Sequence, residues 1–210
     1  MIKILIADDH PIVRKGMINI ISDEPDMKVV CEASNGTQVM DLIKSNEVDF
    51  VILDISMPGK SGLEVLDMLK NVFPDLPVLM LSALSEEIYA SKSLKAGASG
   101  FINKETAPEE LIIAIRKIMA GGHYISNALT ERIALDFKGD LSKAPHARLS
   151  SREFQILCLI GAGKSVTEIG KTLFLNVKTV STYRSRILQK MNMQNNAELI
   201  RYCLNEGIIR

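Results

Sequence analysis

Five residues of reactive type stand at or just beyond the ends of short apolar runs. Asp8 and Asp9 follow Ile2–Ala7, Asp54 closes 49–54, Ser82 closes 77–82 and Lys104 follows 99–102. If those runs are parallel strands, three carboxylates, a hydroxyl and an ammonium meet at one sheet edge. Like charges that close raise one another's pKa unless they are neutralised, and a hard divalent cation with oxygen ligands is the usual remedy. Mg²⁺ is the ion expected. The plainer alternative, that Asp8, Asp9 and Asp54 only cap the helices after them, explains neither the doubled Asp nor Lys104.

A second set of residues suits a polyanion. From Asn176 to Met191 the chain carries Lys178, Arg184, Arg186 and Lys190 and no acid. Wound as a helix at about 100° per residue, this stretch puts Lys178, Thr182, Ser185 and Gln189 opposite Val180, with Ser181 and Arg186 on the flanks. The outward face is the candidate for reading base edges, and Lys190, toward one edge, for holding a phosphate.

The elements that must position these residues are legible as a pattern. Apolar runs rich in Val, Ile and Leu recur five times in the first half, each followed by apolar residues three and four apart, as in Val65, Leu66, Leu69 and Phe73. Continuous apolar strands alternating with amphipathic helices predict a doubly wound α/β domain with a five-stranded parallel sheet, whose ligands bind beyond the carboxyl ends of the strands. The last 60 or so residues read as an all-α bundle of four helices. Ser150 to Glu153 and Ser165 to Glu168 are capping boxes opening the first two. A turn at Phe174-Leu175-Asn176 separates the second from a helix over 177–191 with Val180, Ile187 and Met191 inward. A last helix has Ala197, Ile200 and Leu204 inward. Short helix, tight turn and longer helix form a helix-turn-helix.

The formal net charge of zero conceals a division. Residues 1–123 carry 12 Lys+Arg against 18 Asp+Glu, a net −6, and residues 149–210 carry 9 against 4, a net +5. Between them Gly139 to Ala147, GDLSKAPHA, lacks periodic apolar residues and reads as a linker. The boundaries expected are 1–122, a linker over 123–147 with a short helix at 127–137, and 148–210. Composition is globular, with 47% hydrophobic and 24% charged residues among 210, and no apolar run reaches the roughly 18 residues of a membrane span. A cytoplasmic protein is expected. Cys31, Cys158 and Cys203 read as buried thiols, and His10, His123 and His146 as scattered residues without ligand spacing. Gly161-Ala162-Gly163-Lys164-Ser165 imitates the end of a phosphate-binding loop, but Cys158 stands where that motif needs Gly and a helix precedes it where a strand should.

The first 122 residues resemble the response regulator receiver domains, of flavodoxin-like fold, in Asp8-Asp9-His10-Pro11, Asp54-Ile55-Ser56-Met57-Pro58 with Gly62, Leu81-Ser82-Ala83 and Gly97 to Lys104. The resemblance implies that Asp54 is the phosphoacceptor, that Asp8, Asp9, Asp54 and the Ser56 backbone carbonyl hold Mg²⁺, that Lys104 and Ser82 meet the phosphoryl oxygens, and that Ser82 and Phe101 form a switch pair in which Phe101 swings inward. Residues 149–210 resemble the LuxR-type helix-turn-helix in Leu149 to Glu153, Gly163-Lys164-Ser165, Lys178-Thr179-Val180-Ser181-Thr182-Tyr183 and Leu188 to Met191. Together they resemble the NarL/FixJ response regulators, and Lys178, Thr179, Ser181, Thr182, Arg184, Ser185, Arg186, Gln189 and Lys190 are the candidate DNA contacts. Gly170, where that family often has Ala, is expected to loosen its helix by roughly 1 kcal/mol.

A two-component regulator is therefore expected, phosphorylated by a sensor histidine kinase and switched to double-stranded DNA as a homodimer, with RNA polymerase as a further candidate partner and no membrane. It is not expected to be an enzyme. The rival is a phosphoryl-transfer enzyme whose bundle only binds protein; many turnovers per chain would favour it.

Overall fold

The structure is a computed structural model that describes residues 1–82, 86–125 and 144–209. Its contacts divide the chain into two units, Met1–Glu131 and Arg132–Arg210. The first runs β1 (Ile2–Ala7), α1 (Pro11–Ser22), β2 (Met27–Ala33), α2 (Val39–Ser45), β3 (Phe50–Asp54), α3 (Gly62–Val72), β4 (Val78–Ser82), α4 (Glu86–Lys95), β5 (Gly100–Asn103) and α5 (Ala107–Met119). Every strand pair is parallel, in the order β2-β1-β3-β4-β5. β3 and β4 are buried at every residue, as strands covered on both faces must be. Ile4, Ile6, Ile52, Leu79 and Leu81 form one core with Ile21 of α1 and Leu111, Ile115 and Ile118 of α5. The intervening Leu5, Val51, Leu53 and Met80, pointing to the opposite face, are equally buried.

The sheet order reverses between β1 and β3, and that reversal opens a crevice beyond their carboxyl ends. Ala7 pairs with Leu53 and Asp54 with Leu81, so Asp8, Asp54 and Ser82 lie in one row at the sheet edge. Gly62 closes that row from behind. A Cβ there would sit 2.1 Å from the Asp54 carbonyl oxygen, so the chain can enter α3 this close to β3 only with glycine. Ser61 and Glu64 then cap α3 with a full capping box, which fixes the turn after Asp54.

Past α5 the chain does not leave the unit at once. Tyr124 bridges Gly100: its carbonyl accepts from Phe101 N–H at 2.9 Å and its own N–H donates to Ser99 at 3.1 Å. The strand pairing of the first unit thus includes Tyr124. The helix expected over 127–137 lies outside the described residues.

The described elements of the second unit are a short 3₁₀ turn, Pro145–Arg148, then α6 (Ser151–Gly161), α7 (Val166–Leu173), α8 (Val177–Met191) and α9 (Asn196–Asn205). His146 of that turn is buried, 2.6 Å through Nδ1 from the Tyr202 hydroxyl and tilted against Phe154. The end of the expected linker therefore packs into the bundle. Both expected capping boxes are present, at Ser150/Glu153 and Ser165/Glu168. Asn176 and Asn195 cap α8 and α9. Val180, Ile187 and Met191 face the core as the spacing predicts. The last helix turns otherwise: Leu199 and Cys203 are inward, while Ala197 and Leu204 are exposed and Ile200 is half-buried. Two apolar rows one residue apart run along α9, and the row that packs is the one meeting Gly161 of α6, whose missing side chain leaves room for Cys203. Cys31, Cys158 and Cys203 are all buried free thiols. No described helix is long and apolar enough to cross a membrane.

Candidate functional site

At the crevice the expected residues come together. Lys104 follows β5 and its N–H donates to the Ser82 carbonyl at 2.9 Å, which aims the side chain back across the strand ends. Lys104 Nζ lies 2.8 Å from Asp8 Oδ2 and 2.8 Å from Asp54 Oδ2. The other Asp54 oxygen, Oδ1, accepts from the Ser56 backbone N–H at 3.2 Å. Asp8 and Asp54 are 0% and 1% exposed, and Asp9 closes the outer side. Burial pushes the Asp54 carboxyl up to about 6, opposed by Lys104 and reinforced by Asp8. Burial also works against the charge on Lys104, but Asp54 and Asp8 outweigh it and hold the ammonium above its ordinary range. Asp8 and Asp54 thus share one ammonium, and Asp9 stands beside them against His10. The uncompensated negative charge and hard oxygen donors suit a divalent cation.

Ser82 and Phe101 are both 1% exposed. The Phe101 ring is packed inward in this structure. A ring without a phenolic oxygen has no polar tip to hold in water, so packing is its ordinary state.

One residue of the pocket escaped the sequence reading. His10 is not isolated: its backbone N–H donates to Asp8 Oδ1 at 2.7 Å, and its Nδ1 lies 2.7 Å from Asp9 Oδ1, 3.2 Å from Asp8 Oδ1 and 3.4 Å from Lys104 Nζ. Its position directly after the doubled Asp was the available signal. Arg14 supports the same loop, donating through Nη1 to the Asp8 carbonyl at 2.7 Å and through Nε to Glu32 at 2.8 Å.

The basic helix sorts its residues into two groups. Lys178, Thr179, Ser181, Thr182, Ser185, Arg186 and Gln189 are exposed. The Thr182 and Ser185 hydroxyls donate to the carbonyls four residues back, at 3.0 and 3.1 Å, which leaves their lone pairs outward. Arg184 and Lys190 each have a partner within the bundle. Arg184 is half-buried and its Nε donates to Asn196 Oδ1 at 2.6 Å, tying α8 to the start of α9. Lys190 Nζ lies 2.6 Å from Glu153 Oε2, and Glu153 is only 3% exposed. Burial opposes the Glu153 charge, but Lys190 and Ser150 hold its carboxyl below the usual range. Lys190 thus belongs first to the scaffold, because a buried carboxylate takes the nearest cation.

Gly170 likewise does more than weaken its helix. A Cβ there would stand 2.8 Å from the Leu175 carbonyl oxygen, and the Gly170 carbonyl accepts from Leu175 N–H at 2.8 Å. With Phe174 in the left-handed region at φ 53°, this close approach makes the tight turn between α7 and α8.

Residues 4–116 match the family model of the response regulator receiver domain, and residues 147–203 that of the luxR family of bacterial regulatory proteins. The chain is 37% identical over 209 residues to the response regulator UvrY of Escherichia coli, covering 99% of this chain and 96% of that protein. It is 36% identical over 215 residues to the oxygen regulatory protein NreC of Staphylococcus epidermidis, covering 99% of each. Among solved structures, RcsB of Salmonella enterica serovar Typhimurium, bound to a promoter in the presence of the phosphomimetic BeF₃⁻, matches with a TM-score of 0.63 at 27% identity, covering 96% of this chain and 97% of that one. With a receiver-type pocket at the switch point of one unit and a helix-turn-helix in the other, the chain belongs to the NarL/FixJ family of response regulators.

Proposed function

We propose that Asp54 accepts a phosphoryl group from the phosphohistidine of a sensor kinase, or from a small phosphodonor, and that this switches the second unit to sequence-specific binding of double-stranded DNA. The observation that carries this reading is the Asp54 carboxylate itself, buried yet held at 2.8 Å by Lys104 beside Asp8. An Asp54 oxygen attacks phosphorus in line; as the O–P bond forms, the P–N bond to the donor imidazole breaks and the imidazole leaves with the electron pair. Lys104 would neutralise charge on the transferring oxygens, and the Ser82 hydroxyl would donate to one of them. Asp8, Asp9, Asp54 and the Ser56 carbonyl are the groups that would hold Mg²⁺, which supplies charge neutralisation to the phosphoryl oxygens. Phe101, already packed, would reinforce the loop drawn in by Ser82 rather than travel from solvent.

The protein then stores one phosphoryl per chain and does not turn over substrate, so its role is regulatory and not that of an enzyme. The exposed face of α8 would lie in the major groove with Lys178, Thr182 and Ser185 toward base edges, since helix-turn-helix proteins dock their second helix there. Homodimers would place two such helices on an inverted repeat about one helical turn apart, and RNA polymerase is the natural further partner at a promoter. Incubation with Mg²⁺ and acetyl phosphate should label the chain once, at Asp54. Asp54→Asn, which keeps shape and removes the nucleophile, should stay folded and unlabelled. Label retained in that variant would overturn the assignment, and continuous phosphate release at many turnovers per chain would favour the enzyme reading.

A further inference from the structure

We infer that Arg14, aimed by Glu32, is a positioning residue for cation uptake: it holds the backbone carbonyls on both sides of Asp9 and so fixes the direction of the Asp9 carboxylate. This rests on the pocket holding a divalent cation, as proposed above, and concerns what sets one of its ligands in place.

Asp8 is held at each of its polar atoms. Its N–H donates to the Ala33 carbonyl at 3.1 Å, its Oδ1 accepts from the His10 N–H at 2.7 Å and its Oδ2 lies 2.8 Å from Lys104 Nζ. Its carbonyl accepts from Arg14 Nη1 at 2.7 Å. The first three contacts orient Asp8, whereas the fourth acts on the residue after it. The Asp8 carbonyl and the Asp9 N–H belong to one rigid peptide plane, so pinning the oxygen fixes the plane from which the Asp9 side chain departs. On the other side of Asp9, the Arg14 N–H donates to the His10 carbonyl at 3.0 Å. Pro11, which opens α1 next in the chain, has no N–H to add to the turn.

The guanidinium can do this because its own direction is set. Arg14 Nε donates to Glu32 Oε2 at 2.8 Å, and Glu32 stands on β2 opposite Ile6 of β1, a fixed point of the sheet. The donors of a guanidinium lie in one plane, so fixing Nε leaves Nη1 little freedom. The Arg14 side chain is 17% exposed against 50% for Glu32, which places the working end of the pair on the inner side. Charge alone would give Arg14 the opposite role. A guanidinium beside a cation site repels the incoming ion, and its removal on that ground would tighten binding. Loss of a ligand's alignment loosens it. The sign of the change therefore separates positioning from repulsion.

The test titrates the full chain at pH 8 with Mg²⁺ alone by calorimetry, and follows acetyl phosphate labelling of Asp54 over the same Mg²⁺ range. Arg14→Ala should raise the Mg²⁺ dissociation constant on the order of tenfold and shift the Mg²⁺ dependence of labelling by the same factor, with the rate at saturating Mg²⁺ within about threefold of wild type. Arg14→Lys keeps the charge and replaces the planar fork by a point donor. Its Mg²⁺ affinity should fall between those of wild type and Arg14→Ala, a loss that repulsion cannot produce. Glu32→Ala should weaken Mg²⁺ binding in the same direction and lose most of that effect when Arg14 is already Ala, because the two side chains act through one contact. Unchanged or tighter Mg²⁺ binding in Arg14→Ala, or a lower labelling plateau at unchanged affinity, would overturn the inference, as would full additivity of the two substitutions. If Arg14→Ala proves too unstable to titrate, Arg14→Lys and Glu32→Ala decide the question by themselves. A wild-type chain that takes up no Mg²⁺ would count against the pocket reading itself, and the inference would fall with it.

Discussion

In the receiver pocket the buried carboxylates of Asp8 and Asp54 share the Lys104 ammonium, whereas α8 carries four cations and no acid, and two of those cations, Arg184 and Lys190, are engaged by other residues of the bundle. The pocket acquires its properties from neighbours in space: Asp54 is unusual because Lys104, Asp8 and Ser56 surround it. The recognition face is defined by subtraction. Lys178 and Arg186 point outward because no described acid of the bundle claims them, while Arg184 and Lys190 are held by Asn196 and Glu153. A charge inside a protein is therefore read from its partners, and a charge on a binding face from the lack of them.

The sharpest way to break this contrast is to remove the shared ammonium. Lys104→Ala should leave two buried carboxylates uncompensated, destabilise the first unit by on the order of 3 kcal/mol in cation-free buffer at pH 8, and slow labelling about a hundredfold or more. Urea unfolding and label incorporation measure the two effects, and wild-type stability in the variant would mean that the carboxylates are not held against their charge.

Next in size is the pH dependence of the pocket. Asp54 is raised from an ordinary 3.8 to about 6, so the folded state holds its proton more tightly than the unfolded chain does. Its contribution favours folding most when protonated and is lost as pH rises from about 4 through about 6, on the order of 2 to 3 kcal/mol in all. Without divalent cations, Asp54→Asn should lack this component and be the more stable protein at pH 8. Thermal unfolding of both across pH 4 to 8 measures the difference; parallel curves would contradict it.

On α8 the comparison turns on two cations of equal charge. Lys190→Ala leaves Glu153 buried and unpaired, and should cost roughly 1 to 2 kcal/mol of stability with little change in the salt slope of DNA binding. Arg186→Ala should do the reverse, lowering the slope by about 1 with unfolding unchanged. A binding titration at several salt concentrations, beside a melting curve, separates them. If Lys190→Ala alone lowers the slope, the lysine leaves Glu153 for phosphate when DNA is bound. The smallest effect belongs to Gly170→Ala. An exposed helical Gly→Ala usually gains up to about 1 kcal/mol, but the Leu175 carbonyl stands where the methyl would go, so no gain in melting temperature is expected.

The strands and the acid-lysine constellation were legible because each is local: an apolar run has an end, and the residue just beyond that end is visible in the chain. The helix-turn-helix was equally plain from its caps and turn. The hidden features involve partners far apart in sequence. Glu153 and Lys190 are 37 residues apart, and helical periodicity places Lys190 on a face without saying which residue stands opposite. The inward row of α9 was misassigned for the same reason, since two neighbouring apolar rows fit the period and only Gly161 on another helix chooses between them. His10 differs in kind: its partners are the carboxylates of Asp8 and Asp9, so spacing among the three histidines carries no sign of it.

Tyr124 gives the receiver a tether as well as an edge. Its carbonyl accepts from the amide of Phe101 and its N–H donates to the Ser99 carbonyl, and the Phe101 ring is itself packed in the core of the unit. Ring and tether are thus two ends of a single peptide lever. Any shift of β5 at Phe101 must either carry Tyr124 with it or break the hydrogen bonds that join them, so slack at that point, and not only affinity at the DNA, becomes a quantity on which selection can act.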